Sequence, residues 1–185
     1  AALTINDGNF NFLGNTATTS YELAGALTLS TGHNTVTVTP GTGGATTMTF
    51  ASLSRTAGAS VLFRGTSLGS APAPNVSTLM FTSAPTVIGA SGAAGTTTAS
   101  VIKGAFGDSS LSGSGTDMVV YNLGNTNGLR LLNGAGFSGE YATTLATNAN
   151  VKLSGNVAAS TSSINSLILN GYDITNASAT ITMAS

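Results

Sequence analysis

Leu27-Thr28-Leu29-Ser30-Thr31-Gly32-His33-Asn34-Thr35-Val36-Thr37-Val38-Thr39 is the stretch whose reading decides the fold. Apolar side chains fall at alternate positions, Leu27/Leu29 and Val36/Val38, so each run places its apolar residues on one face of a strand. Thr fills the intervening positions, and a β-branched residue suits a pleated surface. Between the runs, Thr31-Gly32-His33-Asn34 supplies a turn, because Gly accepts the positive φ that other residues avoid. The stretch reads as strand, turn, strand.

The same period of two recurs on both sides of it. It is seen at Leu3/Ile5, Phe10/Phe12, Met48/Phe50, Val61/Phe63, Leu79/Phe81, Val119/Tyr121, Leu129/Leu131, Val151/Leu153, Leu167/Leu169 and Ile181/Met183. Gly and Asn punctuate these bursts, as in Asn6-Asp7-Gly8, Gly113-Ser114-Gly115, Asn133-Gly134 and Asn170-Gly171. The nearest helical candidate, Glu140 to Ala149, is rich in Thr and Asn and makes a poor helix. Many short strands with Gly/Asn turns fit either a two-sheet sandwich or a solenoid. Internal similarity favours the solenoid. Ala2-Leu3-Thr4-Ile5 returns as Ala26-Leu27-Thr28-Leu29 and again as Thr47-Met48-Thr49-Phe50, a spacing in the range of known repeat units. The expected fold is therefore all-β, an open-ended parallel β-helix (β-solenoid) with irregular loops, forming one domain over residues 1–185 or one repeat of a longer array. Pro72, Pro74 and Pro85 cannot donate to a ladder, which predicts an irregular Pro/Gly/Thr-rich region over 69–98.

Composition bounds the function. The 185 residues include five Lys and Arg, six Asp and Glu, one His, and neither Cys nor Trp. Arg55, Arg64, Lys103, Arg130 and Lys152 are scattered singly, a distribution unlike a nucleic-acid surface. Few titratable groups are available to converge, so the reading is not an enzyme, with no catalytic residue, cofactor or metal expected. A formal net charge of −1 removes most of the repulsion that keeps small proteins apart, and 41% hydrophobic residues suffice for a continuous core. No apolar run reaches the 18 residues of a membrane-spanning helix, so membrane insertion is not expected.

Five segments resemble chemical motifs. Gly134-Ala135-Gly136-Phe137-Ser138-Gly139 has dinucleotide-loop spacing but lacks the following helix and downstream acid that such a site needs. Ser112 to Val119 resembles one degenerate copy of a calcium-binding β-roll nonapeptide, and one copy cannot supply six to eight oxygens. His33 reads as a turn residue, with no Gly-x-Ser-x-Gly elbow to partner it. Asn75-Val76-Ser77 and Asn176-Ala177-Ser178 are glycosylation sequons, which arise readily by chance in so Asn- and Ser-rich a chain. Arg55, Arg64, Arg130 and Glu140 are expected to be structural polar pins, at least one Arg being buried against Glu140, Asp108, Asp117 or loop carbonyls.

A set of ordered pieces resembles a repeat unit of bacterial, planctomycete-type β-strand-repeat surface proteins similar to autotransporter passengers. They are Leu53-Ser54-Arg55-Thr56-Ala57-Gly58, Leu62-Phe63-Arg64-Gly65 with Leu68-Gly69, Gly104-Ala105-Phe106-Gly107, Tyr121 with Gly128-Leu129-Arg130-Leu131, Glu140-Tyr141, and Ile164-Asn165-Ser166-Leu167. The resemblance implies a parallel β-helix exposed outside the cell or on its surface, with no catalytic residues to carry over. Solenoid ends need covering. Ala2, Leu3, Thr4 and Ile5 at one end and Thr180, Ile181, Thr182 and Met183 at the other are uncharged alternating strands, expected to form a head-to-tail interface with further copies of the chain. The leading expectation is a structural subunit of an extracellular self-assembling filament or sheath. Two alternatives are an adhesin or carbohydrate-binding module meeting surface glycans through Phe63, Tyr121, Phe137, Tyr141 or Tyr172, and, more remotely, a β-helical polysaccharide-processing enzyme.

Overall fold

The computed structural model describes residues 1–121, 124, 126–175 and 178–185. Its described residues form strands and turns, with no helix, so the chain is all-β. Glu140 to Ala149 accordingly holds only turns and a bridge.

The first nine strands fall into triplets: β1 (Leu3–Asn6), β2 (Asn9–Leu13) and β3 (Ser20–Ala24); β4 (Leu27–Thr31), β5 (His33–Thr39) and β6 (Thr46–Phe50); β7 (Leu53–Arg55), β8 (Ser60–Gly65) and β9 (Ser77–Phe81). Each strand pairs in parallel with its counterpart in the next triplet, giving the orders β1-β4-β7, β2-β5-β8 and β3-β6-β9. In-register pairing places like residues in rows: Leu3–Leu27–Leu53, Phe10–Val36–Phe63 and Ala24–Phe50–Phe81. These rows meet in one core, where Phe50 stacks on Phe81 at 6.1 Å between centroids and Phe63 meets Phe81 edge to face. Thr47 and Thr49 alternate with Thr46, Met48 and Phe50, as the period of two requires.

The third appearance of the repeated motif, Thr47 to Phe50, does not stack on the first two. It lies in β6, in another sheet, and β7 takes the third place beside β1 and β4. Every sheet around a shared core carries the same alternation, so alternation alone does not say which sheet a strand joins.

The turn at Gly32 (φ 64°) is held by a buried amide. Asn34 Nδ2 donates to the carbonyls of Thr31 (2.9 Å) and Ser60 (3.1 Å), while Asn34 Oδ1 accepts from the Gly8 amide. One side chain thereby ties three successive corners together.

Parallel order stops in the middle of the chain. After β10 (Val87–Ile88) and β11 (Val101–Ile102), which pair antiparallel, β12 (Ala105–Asp108) adds in parallel to β8. The next two, β13 (Asp117–Val120) and β14 (Arg130–Leu131), then run antiparallel, extending this sheet to the order β14-β13-β12-β8-β5-β2. Gly107 permits the change: a Cβ there would lie 2.4 Å from Val119 Cγ1. Residues 69–98 contribute β9 and β10, and Pro72, Pro74 and Pro85 all fall outside strands.

Six short strands close the chain: β15 (Asn150–Lys152), β16 (Val157–Ala158), β17 (Ser162–Ile164), β18 (Ser166–Ile168), β19 (Ile174–Thr175) and β20 (Ile181–Met183). They again pair in parallel by threes, β15-β18, β16-β19 and β17-β20, around Ala149, Val151, Leu153 and Ile164.

Candidate functional site

The first triplet presents unpaired edges. Among the described residues β1, β2 and β3 are each the outermost strand of their sheet, so the backbone groups on their free side lack ladder partners. Leu3 is half-buried and Ile5 buried, both facing the core, whereas Ala2 and Thr4 are exposed. The outward rows change character at this edge. Leu13, Tyr21 and Leu23 are 67%, 63% and 58% exposed, yet the positions beside them one strand further in are Thr39, Thr47 and Thr49. The largest exposed apolar side chains of this half thus collect on its outermost strands.

The inward row of β3 is the reverse. Glu22 is in register with Met48 and Leu79, both buried, and so occupies a core-facing position at the open edge. It is exposed there and makes no hydrogen bond or ion pair among the described residues. Sequence reasoning missed this residue, because Tyr21 and Leu23 look like the inward pair of the strand and in fact point out.

At the other end β18, β19 and β20 are outermost. Ile181 packs on the small core, while Thr180 and Thr182 are exposed and Met183 is 45% exposed. Leu169 and Tyr172 are exposed beside the same strands. Met183 also lines a narrow groove with Ile88, Val101 and Phe106, so part of this edge turns toward the middle of the chain. Within one copy the structure does not bring residues 2–5 and 180–183 together in any strand pairing.

Arg130, Glu140, Asp108, Asp117 and Lys152 in the middle are tied up locally. Arg130 and Glu140 form a buried bidentate pair, Nη1 to Oε2 at 2.7 Å and Nη2 to Oε1 at 2.6 Å. Arg130 Nη1 also donates to the Leu131 carbonyl, and its guanidinium stacks 4.0 Å from the Phe137 ring centroid. Glu140 accepts in addition from the amides of Gly95 and Asn133, and its own amide donates to Asn133 Oδ1. Burial pushes the Glu140 carboxyl up, but the Arg130 bonds and the two amides outweigh it and hold the group below its ordinary value. The Gly134 to Gly139 segment is therefore the loop between the partners of an ion pair, and no helix follows it.

Arg55 Nη1 donates to the Ala59 carbonyl at 2.6 Å, and Arg64 Nε to Thr37 Oγ1 at 3.2 Å. Asp108 accepts from Ser110 and from the Gly115 amide. Asp117, in the segment resembling a calcium nonapeptide, is 2.8 Å from Lys152 Nζ. That ammonium already supplies the cation, and no group of three His, Asp or Glu among the described residues could hold a metal. Beside it Tyr141 accepts from the Met118 amide through its hydroxyl, and burial together with Asp117 raises its phenol far above the ordinary value.

His33 Nδ1 lies 2.5 Å from Ser60 Oγ, but the nearby Asp7 carboxylate accepts from the His33 backbone amide, not the ring. Among the described residues no group is placed to orient the imidazole as a base. Asn75 Oδ1 accepts from the Gly43 amide within a turn, and Asn176 lies outside the described residues.

No protein-family model, curated protein or solved structure matches this chain. Its reading therefore rests on geometry. Of the aromatic residues expected to meet a ligand, Phe63 is core, and the Tyr121 hydroxyl is bound to both the amide and the carbonyl of Phe81. Phe137 and Tyr172 remain exposed, Phe137 beside a cleft of about 300 Å³ that Tyr121 and Arg130 also line.

Proposed function

We propose that this chain is a structural subunit of an extracellular filament or sheath, in which copies stack head to tail through their outermost strands. On this reading the parallel triplets are rungs of a β-helix, and the neighbouring copy supplies the next rung, as a separate subunit or as the following repeat of one longer chain. The observation that carries it is the rim at Leu13, Tyr21 and Leu23: apolar outward positions on unpaired strands whose equivalents one strand inward are Thr. A rung laid across that edge would satisfy three sets of backbone groups at once and cover the apolar rim. Joining unlike ends repeats without closure and gives a fibre. The surface address is supported by the resemblance to bacterial β-strand-repeat proteins.

Negative-stain imaging and sedimentation of the purified chain test the proposal. Wild type is expected to form unbranched fibres, and Leu3→Lys with Ile5→Lys to remain a β-rich monomer, because each Lys brings an unpaired charge into the shared core. Fibres from the double variant, or a wild-type chain that stays monomeric under all conditions, would remove this reading. The second reading, a glycan-binding surface module, is favoured by the cleft at Phe137, where a ring stands over a fixed guanidinium. Saturation-transfer spectra with a neutral oligosaccharide panel, lost in Phe137→Ala, would place it first.

A further inference from the structure

The same edge that invites a neighbour carries one group that opposes it. Glu22 faces the core from β3, in a row that continues as Met48 and Leu79. A rung stacked on β3 would enclose that carboxylate between its own core and Met48. An inward-pointing charge on an edge strand is a recognised obstacle to strand addition, and an ionised carboxyl without a partner is not tolerated in an apolar interior.

Among the described residues no cationic side chain pairs with it. β6, which pairs with β3, carries no titratable group, and neither do β1 and β2 across the same open core. The titratable side chains at the neighbouring corner are Asp7, whose carboxylate binds the His33 backbone amide, and His33, whose ring lies against Ser60 Oγ. On the face that would arrive, residues 153–185 contain one charged side chain, Asp173, also acidic. Lys152 is committed to Asp117 and the Thr116 carbonyl.

We infer that Glu22 is the residue that decides when this edge accepts another copy: stacking requires its carboxyl to be protonated, so assembly takes up one proton per contact and is promoted by acid. The inference rests on the stacking reading. The sign follows from the charge state. The stacked form holds the proton and the free form at neutral pH does not, so the association constant rises as pH falls. With one proton taken up per contact, the association constant rises by up to about tenfold per pH unit, or about 100-fold between pH 7 and pH 5. Glu140, whose carboxyl is held below its ordinary value, stays ionised across this window, so its ion pair with Arg130 is not the variable.

Sedimentation velocity of wild type and Glu22→Gln at pH 7 and pH 5, with far-ultraviolet spectra of each sample, tests this. Wild type is expected to associate about 100-fold more tightly at pH 5. Glu22→Gln should associate at pH 7 about as wild type does at pH 5, with the dependence on pH largely removed. Asp173→Asn should keep that dependence. Equal wild-type association at both pH values, or a Glu22→Gln variant that retains the full dependence, overturns the inference while leaving stacking in place. If neither wild type nor Glu22→Gln associates at any pH, the stacking reading falls and takes this inference with it.

Discussion

The two ends of the chain build the same kind of parallel triplet at different girth. In the first nine strands, side-chain bonds between matching corners of neighbouring triplets join residues 25 to 32 apart, from Asn6–Thr31 through Gly8–Asn34 and His33–Ser60 to Gly43–Asn75. In the last six, the corresponding bonds span 16 to 19 residues, from Asn150–Ser166 to Thr161–Thr180. Girth decides what fits inside. The wide triplets enclose Phe50, Phe63 and Phe81, each almost wholly buried, whereas among the described residues the narrow ones build their buried apolar cluster from the smaller Ala149, Val151, Leu153 and Ile164. Apolar burial scales with the area removed from water, so the wide end leans on its core, and the narrow end leans more on its backbone ladders and on polar ties. Asn150 is one such tie, donating to the Ala99 carbonyl and accepting from Ser166 Oγ.

Three substitutions break or sharpen that contrast. Phe50→Ala removes a ring at the centre of the aromatic row and should cost about 3–5 kcal/mol, read as a lower denaturation midpoint. Loss of amide protection should run through β1 to β9, and a cost under about 1 kcal/mol would mean the wide end does not depend on its core. Next is Glu140→Gln in the joint between the ends, expected to cost about 3 kcal/mol at pH 7 because Arg130 loses its buried counter-ion. The Glu140 carboxyl is held lower in the folded chain than its ordinary value. Its contribution is therefore present above that value and is lost as pH falls through the lower, folded one. Denaturation midpoints at pH 7 and pH 3 should drop less in Glu140→Gln than in wild type. Ile164→Val in the narrow core should cost only about 1 kcal/mol, with faster amide exchange confined to β15–β20. Exchange that spreads to β1–β9 would show the two ends to be one cooperative unit.

Alternation made much of the wide end legible. Leu3/Ile5, Leu27/Leu29, Val36/Val38, Met48/Phe50, Val61/Phe63 and Leu79/Phe81 all lie in strands that face the core. The short strands β10, β16 and β19 left little trace, since two residues cannot display a period. Strand β3 was hidden for a different reason: its exposed Tyr21 and Leu23 point outward, and its inward positions are Ser20, Glu22 and Ala24. The rim and the carboxylate, the two features on which the assembly argument turns, were therefore not visible along the chain. Arg130 and Glu140 were recognisable as scarce charges worth pinning, but their bidentate pairing and the stacking on Phe137 depend on how the 133–139 loop returns.

By itself the sequence determined the all-β class, the turn positions and the scarcity of titratable groups, because period, Gly/Asn placement and composition are local properties of the chain. Only the tertiary structure decided which strands stack and where parallel order gives way at β12 and β13. It also decided that a carboxylate stands in a row of apolar side chains at an open edge. Those outcomes depend on register, and register is set by the fit of side chains from distant residues around a shared core.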